Sequence, residues 1–326
     1  MLKFSLLGYG HIGKVHKKAI EETQGADLVA IIDKKIEDEN LNIPTYDSLE
    51  NFLENDTETD IVAIATPNGM HHKHAIQCLK AGKHVLIEKP IALSTDEAKE
   101  IIETAKKFNK RVFSSMQLRF SPPVKFVKQL LENNRLGEIY MVNIHCYWNR
   151  NKNYYQVRDW SGSKSMDGGV LFTQFSHFID ILNFWFEHTK CTHASLFNFN
   201  HQGITEFADS GRLDFEADEA KGNMVFSIST FEKNYKSGIT ILAEKGTIEI
   251  GDQYLNQLVY CNMQEEIDTA EHSTDVKNFH PLAMKEIVQA LNENRSSILD
   301  GQYAVNLVKF IEDVHLIAEK KLEIQN

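Results

Sequence analysis

Over the first 120 residues, short apolar runs alternate with stretches whose apolar positions recur at helical spacing. The runs Lys3–Leu7, Leu28–Ile32, Ile61–Ala65, His84–Ile87 and Arg111–Ser115 read as strands. The intervening stretches His11–Glu22, Ser48–Glu54, His72–Ala81 and Thr95–Asn109 read as helices. Strands that alternate with helices predict a parallel sheet with helices on both faces. Strands that are apolar throughout fit a sheet covered on both sides.

The pattern changes at Ser121-Pro122-Pro123. A helix over Val124–Asn133 is followed by the turn Arg135-Leu136-Gly137 and a strand over Glu138–Trp148. An aromatic and polar stretch, Asn149–Asp167, leads into one long helix from Gly169 to Phe186. From about Cys191 to Cys261 strands are separated by turns at Asp209-Ser210-Gly211 and Glu244-Lys245-Gly246. Helices over Pro281–Asn292 and Tyr303–Lys320 close the chain. The expected architecture is α/β plus α+β. A doubly wound parallel Rossmann sheet spans 1–121, and an open, mostly antiparallel sheet with helices on one face spans 122–326. The last helices are free to pack back on the first domain.

Composition narrows the function classes. The chain has 326 residues, 42% hydrophobic, which suits two domains. Its net charge of −11 argues against nucleic acid as a partner. Cys78, Cys146, Cys191 and Cys261 are scattered, without zinc or disulfide spacing, which points to a reducing compartment. No apolar run reaches the roughly 20 residues of a membrane helix, so a cytoplasmic protein without a membrane partner is expected.

Gly8-Tyr9-Gly10-His11-Ile12-Gly13 joins the first strand to the first helix. In such a turn Gly8 permits the tight bend, Gly10 lets backbone approach a pyrophosphate, and Gly13 lets helix and strand pack closely. His11 and Ile12 then begin a helix whose N–H groups face the phosphates. Asp33 follows Gly13 by 20 residues, where a carboxylate binds the adenine-ribose hydroxyls and repels a 2′-phosphate. NAD is therefore the expected cofactor, although Lys34 and Lys35 soften the preference over NADP.

Further motifs carry a family likeness. Ala65-Thr66-Pro67-Asn68 with His71, then Glu88-Lys89-Pro90, then Gly168-Gly169 and His177-Phe178-Ile179-Asp180, resemble in order and spacing the Gfo/Idh/MocA oxidoreductases. The resemblance implies a Rossmann domain, a C-terminal sheet whose outer face makes a homodimer or homotetramer, and sugar or polyol oxidation. It places Thr66, Pro67, Asn68, His71, Glu88, Lys89 and Gln117 at the cofactor. It makes Lys89 and His177 the catalytic pair, His177 as base and Lys89 as the cation on the substrate oxygen. Singly, each has an ordinary reading: His177 as a core histidine of an apolar helix, Lys89 as a surface cation at a strand end.

A narrower likeness rests on Gln117-Leu118-Arg119-Phe120, on Tyr147-Trp148-Asn149-Arg150 through Trp160, and on Leu171-Phe172-Thr173-Gln174-Phe175-Ser176-His177. These are similar to the UDP-N-acetylglucosaminuronate 3-dehydrogenases of the WlbA/WbpB type. That likeness implies a nucleotide-sugar substrate and coupling to a pyridoxal-phosphate aminotransferase. Arg119, Arg150, Tyr155, Arg158, Trp160 and Thr173 then join Lys89 and His177 as substrate contacts, cations for diphosphate and uronate and rings for stacking. Thr173 stands where many family members have Asp, so the charged orienter of the base is missing. An inositol-type polyol dehydrogenase and a non-catalytic NAD-binding regulator are the alternatives. His71, His72 and His74 share a helix with no cysteine or carboxylate cluster beside them; no metal is predicted, and His72 and His74 read as exposed.

Overall fold

The structure, a computed structural model, describes residues 1–36, 41–56 and 58–325, without the side chains of 321–325. The chain forms two compact units. Unit 1 comprises Met1–Gln117 and Asn278–Val308; unit 2 comprises Leu118–Lys277 and Lys309–Asn326.

Unit 1 begins with β1 (Leu2–Leu7), α1 (His11–Glu21), β2 (Ala26–Ile32), β3 (Thr45–Tyr46) and α2 (Leu49–Asn55). It continues with β4 (Ile61–Ile64), α3 (His71–Lys80), β5 (His84–Ile87), α4 (Thr95–Lys107) and β6 (Val112–Ser114). The strands pair in parallel in the order β3-β2-β1-β4-β5-β6. The sheet is buried because its strands are apolar on both faces: Ile61, Val62, Ala63 and Ile64 are all below 2% exposed. The strand β3 was not expected; it is two residues long and arises from pairing with Ile31 and Ile32.

Unit 2 contains α5 (Pro122–Glu132), β7 (Ile139–Tyr147), α6 (Lys152–Gln156), α7 (Val170–Thr173) and α8 (Ser176–Trp185). Then come β8 (Thr189–Phe197), β9 (Ser210–Ala217), β10 (Ala220–Ser227), β11 (Lys236–Ala243), β12 (Gly246–Gly251) and β13 (Gln257–Met263). Their order is β13-β12-β11-β7-β10-β9-β8, antiparallel except for the parallel pair β7–β10. Strand alternation divides the faces. Val142, Ile144 and Cys146 of β7 point inward, with Phe226 of β10 meeting Phe175 at 5.7 Å between centroids. Met141, Val225 and Leu242 are 40–44% exposed.

Two boundaries differ from expectation. The expected single helix over Gly169–Phe186 is two helices, α7 and α8. The Phe175 amide bonds back to Val170 O instead of continuing the ladder, so the axis breaks at Gln174-Phe175. The units separate after Gln117, four residues before the expected Ser121. The closing helices are α9 (His280–Asn292), which lies against α1 in unit 1, and α10 (Gly301–Gln325), which starts in unit 1 and ends in unit 2. None of the described helices is long and apolar enough to cross a membrane.

Candidate functional site

In unit 1 the glycine turn is built by contact. A Cβ on Gly8, at φ +98°, would lie 2.6 Å from Ala65 O, and one on Gly13 would lie 2.0 Å from Gly8 O. A Cβ on Gly10 would meet nothing within 4 Å, so a ligand can reach this backbone closely. The helices α2 and α4 are capped by Ser48 and Ser94, whereas α1 has Gly10 as its cap residue, no side-chain cap and no acid in its first turn. Its leading N–H groups are thus left for an anion. His11 is exposed and Ile12 half-buried at that end. At the end of β2, Asp33 Oδ2 accepts the Tyr9 N–H at 2.6 Å and Oδ1 accepts the Lys35 N–H at 2.9 Å. The carboxylate is fixed to the glycine turn and remains half-exposed. An open glycine, an uncapped helix start and a fixed carboxylate together fit a dinucleotide.

The carboxyl ends of β4 and β5 hold the next group. Thr66 and Pro67 are half-buried, and Asn68 opens a 3-10 turn over Asn68–Met70. His71, expected at the cofactor, is fully buried instead. Its Nε2 lies 2.8 Å from Thr66 O and its Nδ1 2.7 Å from Pro90 O, so the ring joins the two loops. Burial pushes its pKa below the ordinary histidine value, against those bonds. His74 and His72, expected to be exposed, are half-buried: His74 Nδ1 is 3.0 Å from Thr66 Oγ1 and His72 Nε2 is 2.9 Å from Glu100.

Glu88 is buried, and its Oε2 accepts the Lys89 N–H at 3.3 Å. Its Oε1 is 2.6 Å from His16 Nε2 and 3.8 Å from His280 Nε2, the second an ion-pair separation and not a hydrogen bond. Burial would raise the carboxyl, but the histidines outweigh it and hold the group well below the usual carboxylate range. His16, Glu88 and His280 are the one cluster of His, Cys, Asp or Glu among the described residues with metal-ligand proximity. His16 and His280 were not singled out from sequence; the buried stripe Gly13, His16, Ala19 and Ile20 on α1 was the available signal. Lys89 is half-buried, its bond to Pro90 is cis, and Gln117 is half-buried at the start of a 3-10 turn.

Unit 2 separates the substrate candidates. Arg119 is 2% exposed: its Nε donates to Asp180 Oδ2 at 2.9 Å and its Nη2 to Asp180 Oδ1 at 2.5 Å. The fork expected to bind a uronate is spent on a buried carboxylate. Tyr155 is 4% exposed, with its ring against Tyr154, His201 and Phe207. Burial pushes its phenol above the ordinary value. Arg150 lies over Trp148 and Tyr154 and donates to Asn149 O and Asn234 Oδ1. Arg158 is exposed and lies 5.8 Å from the half-buried Trp160 ring.

Thr173 ends α7 and His177 is the second residue of α8; both are half-buried. The Thr173 hydroxyl donates to the carboxylate of Asp167, which also accepts the Gly162 N–H at 3.0 Å. Asp167 is 1% exposed. Sequence reasoning did not find that Thr173 is backed by a buried acid six residues upstream.

Comparisons with known proteins agree with this geometry. Residues 2–116 match the oxidoreductase family with an NAD-binding Rossmann fold, and residues 124–249 match the GFO/IDH/MocA C-terminal domain. The chain superposes on the WlbA dehydrogenase from Bordetella pertussis, solved with NADH and UDP-GlcNAcA, with TM-score 0.93 and 27% identity over 98% of this chain and 96% of that one. The corresponding Chromobacterium violaceum enzyme, also with NADH and UDP-GlcNAcA, gives TM-score 0.91 and 28% identity over 98% and 94%. In sequence, glucose-6-phosphate 3-dehydrogenase of Bacillus subtilis is 31% identical over 57% of this chain and 54% of that protein. The chain thus spans about half the length of the first curated relatives it matches.

Proposed function

The chain belongs to the Gfo/Idh/MocA oxidoreductases, and from that premise we propose that it is an NAD-dependent dehydrogenase oxidising the 3-hydroxyl of UDP-N-acetylglucosaminuronate. The observation that carries this reading is the likeness over 98% of the chain to two enzymes solved with NADH and that sugar nucleotide. The Tyr147–Trp160 stretch, aromatic and basic, is the local support.

The Gly8–Gly13 turn, the start of α1 and Asp33 would hold the dinucleotide. When bound, NAD supplies nicotinamide carbon 4 as hydride acceptor. Oxidation of a secondary alcohol also needs a base for the hydroxyl proton and a positive group for the oxygen as it gains negative character. His177 in unit 2 is the base in this reading. Lys89 in unit 1 supplies the ammonium. Thr173 accepts a hydrogen bond from the sugar, since its own proton is engaged by Asp167. Arg150, Arg158 and Trp160 provide charge and a ring for the nucleotide. The exposed sheet residues Met141, Val225 and Leu242 suit a homo-oligomer contact. A pyridoxal-phosphate aminotransferase is the class of enzyme that would consume the 3-ketone.

The test is NADH formation at 340 nm with UDP-N-acetylglucosaminuronate, with a coupled aminotransferase to draw off the ketone. Turnover that disappears in both Lys89→Met and His177→Asn supports the reading. Turnover only with free sugars or polyols would replace the substrate. No turnover with any of them, with NAD still bound, would favour a regulator.

A further inference from the structure

Lys89 lies between two buried histidine contacts that meet the backbone on either side of it. On its amino side, Glu88 Oε2 accepts the Lys89 N–H at 3.3 Å, while Glu88 Oε1 is gripped by His16 at 2.6 Å. His280 stands edge-on to His16, with ring centroids 5.4 Å apart at 84°, and 3.8 Å from the same oxygen. Asn278 fixes the His280 ring. Its Oδ1 accepts both the His280 backbone N–H at 3.1 Å and Nδ1–H at 2.7 Å, which leaves Nε2 turned to Glu88. On the carboxyl side, His71 ties Pro90 O to Thr66 O. His16, His71 and Glu88 are below 7% exposed and His280 is 8% exposed.

These contacts come from α1, from the head of α3 and from the first residue of α9, and they converge on the tripeptide Glu88-Lys89-Pro90. A buried carboxylate with one oxygen gripped cannot turn without breaking a charge-assisted bond, so its other oxygen stays on the Lys89 amide. The neutral His71 ring has a single N–H, so its departure strands whichever of the two carbonyls it bonds.

We propose that His16, braced edge-on by the His280 ring that Asn278 holds, and His71 are positioning residues for Lys89. They fix the backbone on both sides of it, so that its ammonium is presented from one place at the end of β5. Neither is a catalytic residue. The proposal rests on the role given above to Lys89. Loss of such a clamp moves a reacting group without removing it, and a misplacement of about 1 Å costs on the order of 100-fold in rate.

The experiment uses the full-length protein with Asn278→Ala and His71→Asn. Asn278 is at the surface, so the first variant folds even if the second does not. Backbone amide exchange over residues 87–91 is measured beside exchange in the rest of the parallel sheet, together with the melting temperature, kcat and KM. The expected result for Asn278→Ala is exchange accelerated about tenfold or more over 87–91 alone. Its melting temperature stays near wild type, and kcat falls with KM little changed. Unchanged exchange at 87–91 overturns the proposal. So does acceleration spread evenly over the sheet, which marks general destabilisation. If no sugar is turned over by the wild type, the functional reading fails, and local exchange still decides the clamp.

Discussion

The hydroxyl of Thr173 donates its proton to the carboxylate of Asp167, six residues before it and 1% exposed. A hydroxyl has one proton, so in this state Thr173 meets a ligand as an acceptor, and a buried negative charge lies one bond behind it. Replacing Asp167 with Asn removes a charge-assisted bond worth about 1.5–3 kcal/mol. We expect kcat/KM to fall on the order of 10- to 100-fold for Asp167→Asn. Thr173→Ser should stay near wild type and Thr173→Val should follow Asp167→Asn. Initial rates at 340 nm decide it; equal rates in all three variants would reduce the pair to a loop brace.

Such a pair shows where sequence stops. The unit 1 sheet was legible because β2, β4 and β5 are mostly apolar runs and because Gly13 is a glycine for a local steric reason, the closeness of Gly8 O. The break between α7 and α8 was not, since Val170–Phe186 is mostly apolar with no glycine or proline to mark it. Partnerships across the fold were the least legible. His16 meets Glu88 across 72 positions and Arg119 meets Asp180 across 61. Asp180 stood inside the motif Phe178-Ile179-Asp180, but nothing local said that it would bury an arginine.

That second partnership makes its own prediction. Both members are almost completely buried, at 2% and 1% side-chain exposure. Removing one charge leaves the other buried and unpaired, at a cost of about 3–5 kcal/mol. Arg119→Met should therefore lower stability in a urea titration by that order, while KM in the surviving folded fraction changes little. A raised KM with unchanged stability would return Arg119 to the substrate.

Two histidines give the fold a direction of acid sensitivity. Burial first, and then the charges of Lys110 and Arg111, lower His84 from 6.5 to about 4. Its Nδ1 accepts the Arg111 N–H at 2.9 Å, a bond only the unprotonated nitrogen can make. Burial likewise lowers His74 to about 4. Each folded-state pKa lies below its unfolded value, so between them the unfolded chain binds more protons. Stability is fully present above pH 6.5 and drains away as the pH falls toward 4. The melting temperature should follow that course. In His84→Gln, whose amide oxygen accepts the same N–H without titrating, the decline should be shallower; an identical decline would remove His84 from the explanation.

The glycine turn offers a test in which stability and cofactor binding part company. Gly13 has no room for a side chain: a Cβ would sit 2.0 Å from Gly8 O, which is backbone and cannot yield locally. Gly13→Ala should cost about 1–3 kcal/mol by overpacking, with NAD affinity lost through the distorted turn. Gly10 differs in both respects. Its φ of −73° and ψ of −162° suit any residue, and its Cβ position is open. A methyl group there harms nothing within the protein and stands only in the way of a ligand approaching the backbone. Gly10→Ala should melt at the wild-type temperature and bind NADH about tenfold or more weakly in a fluorescence titration. If NADH binds Gly10→Ala as it binds the wild type, the dinucleotide does not approach this turn. The start of α1 and Asp33 would then need another role.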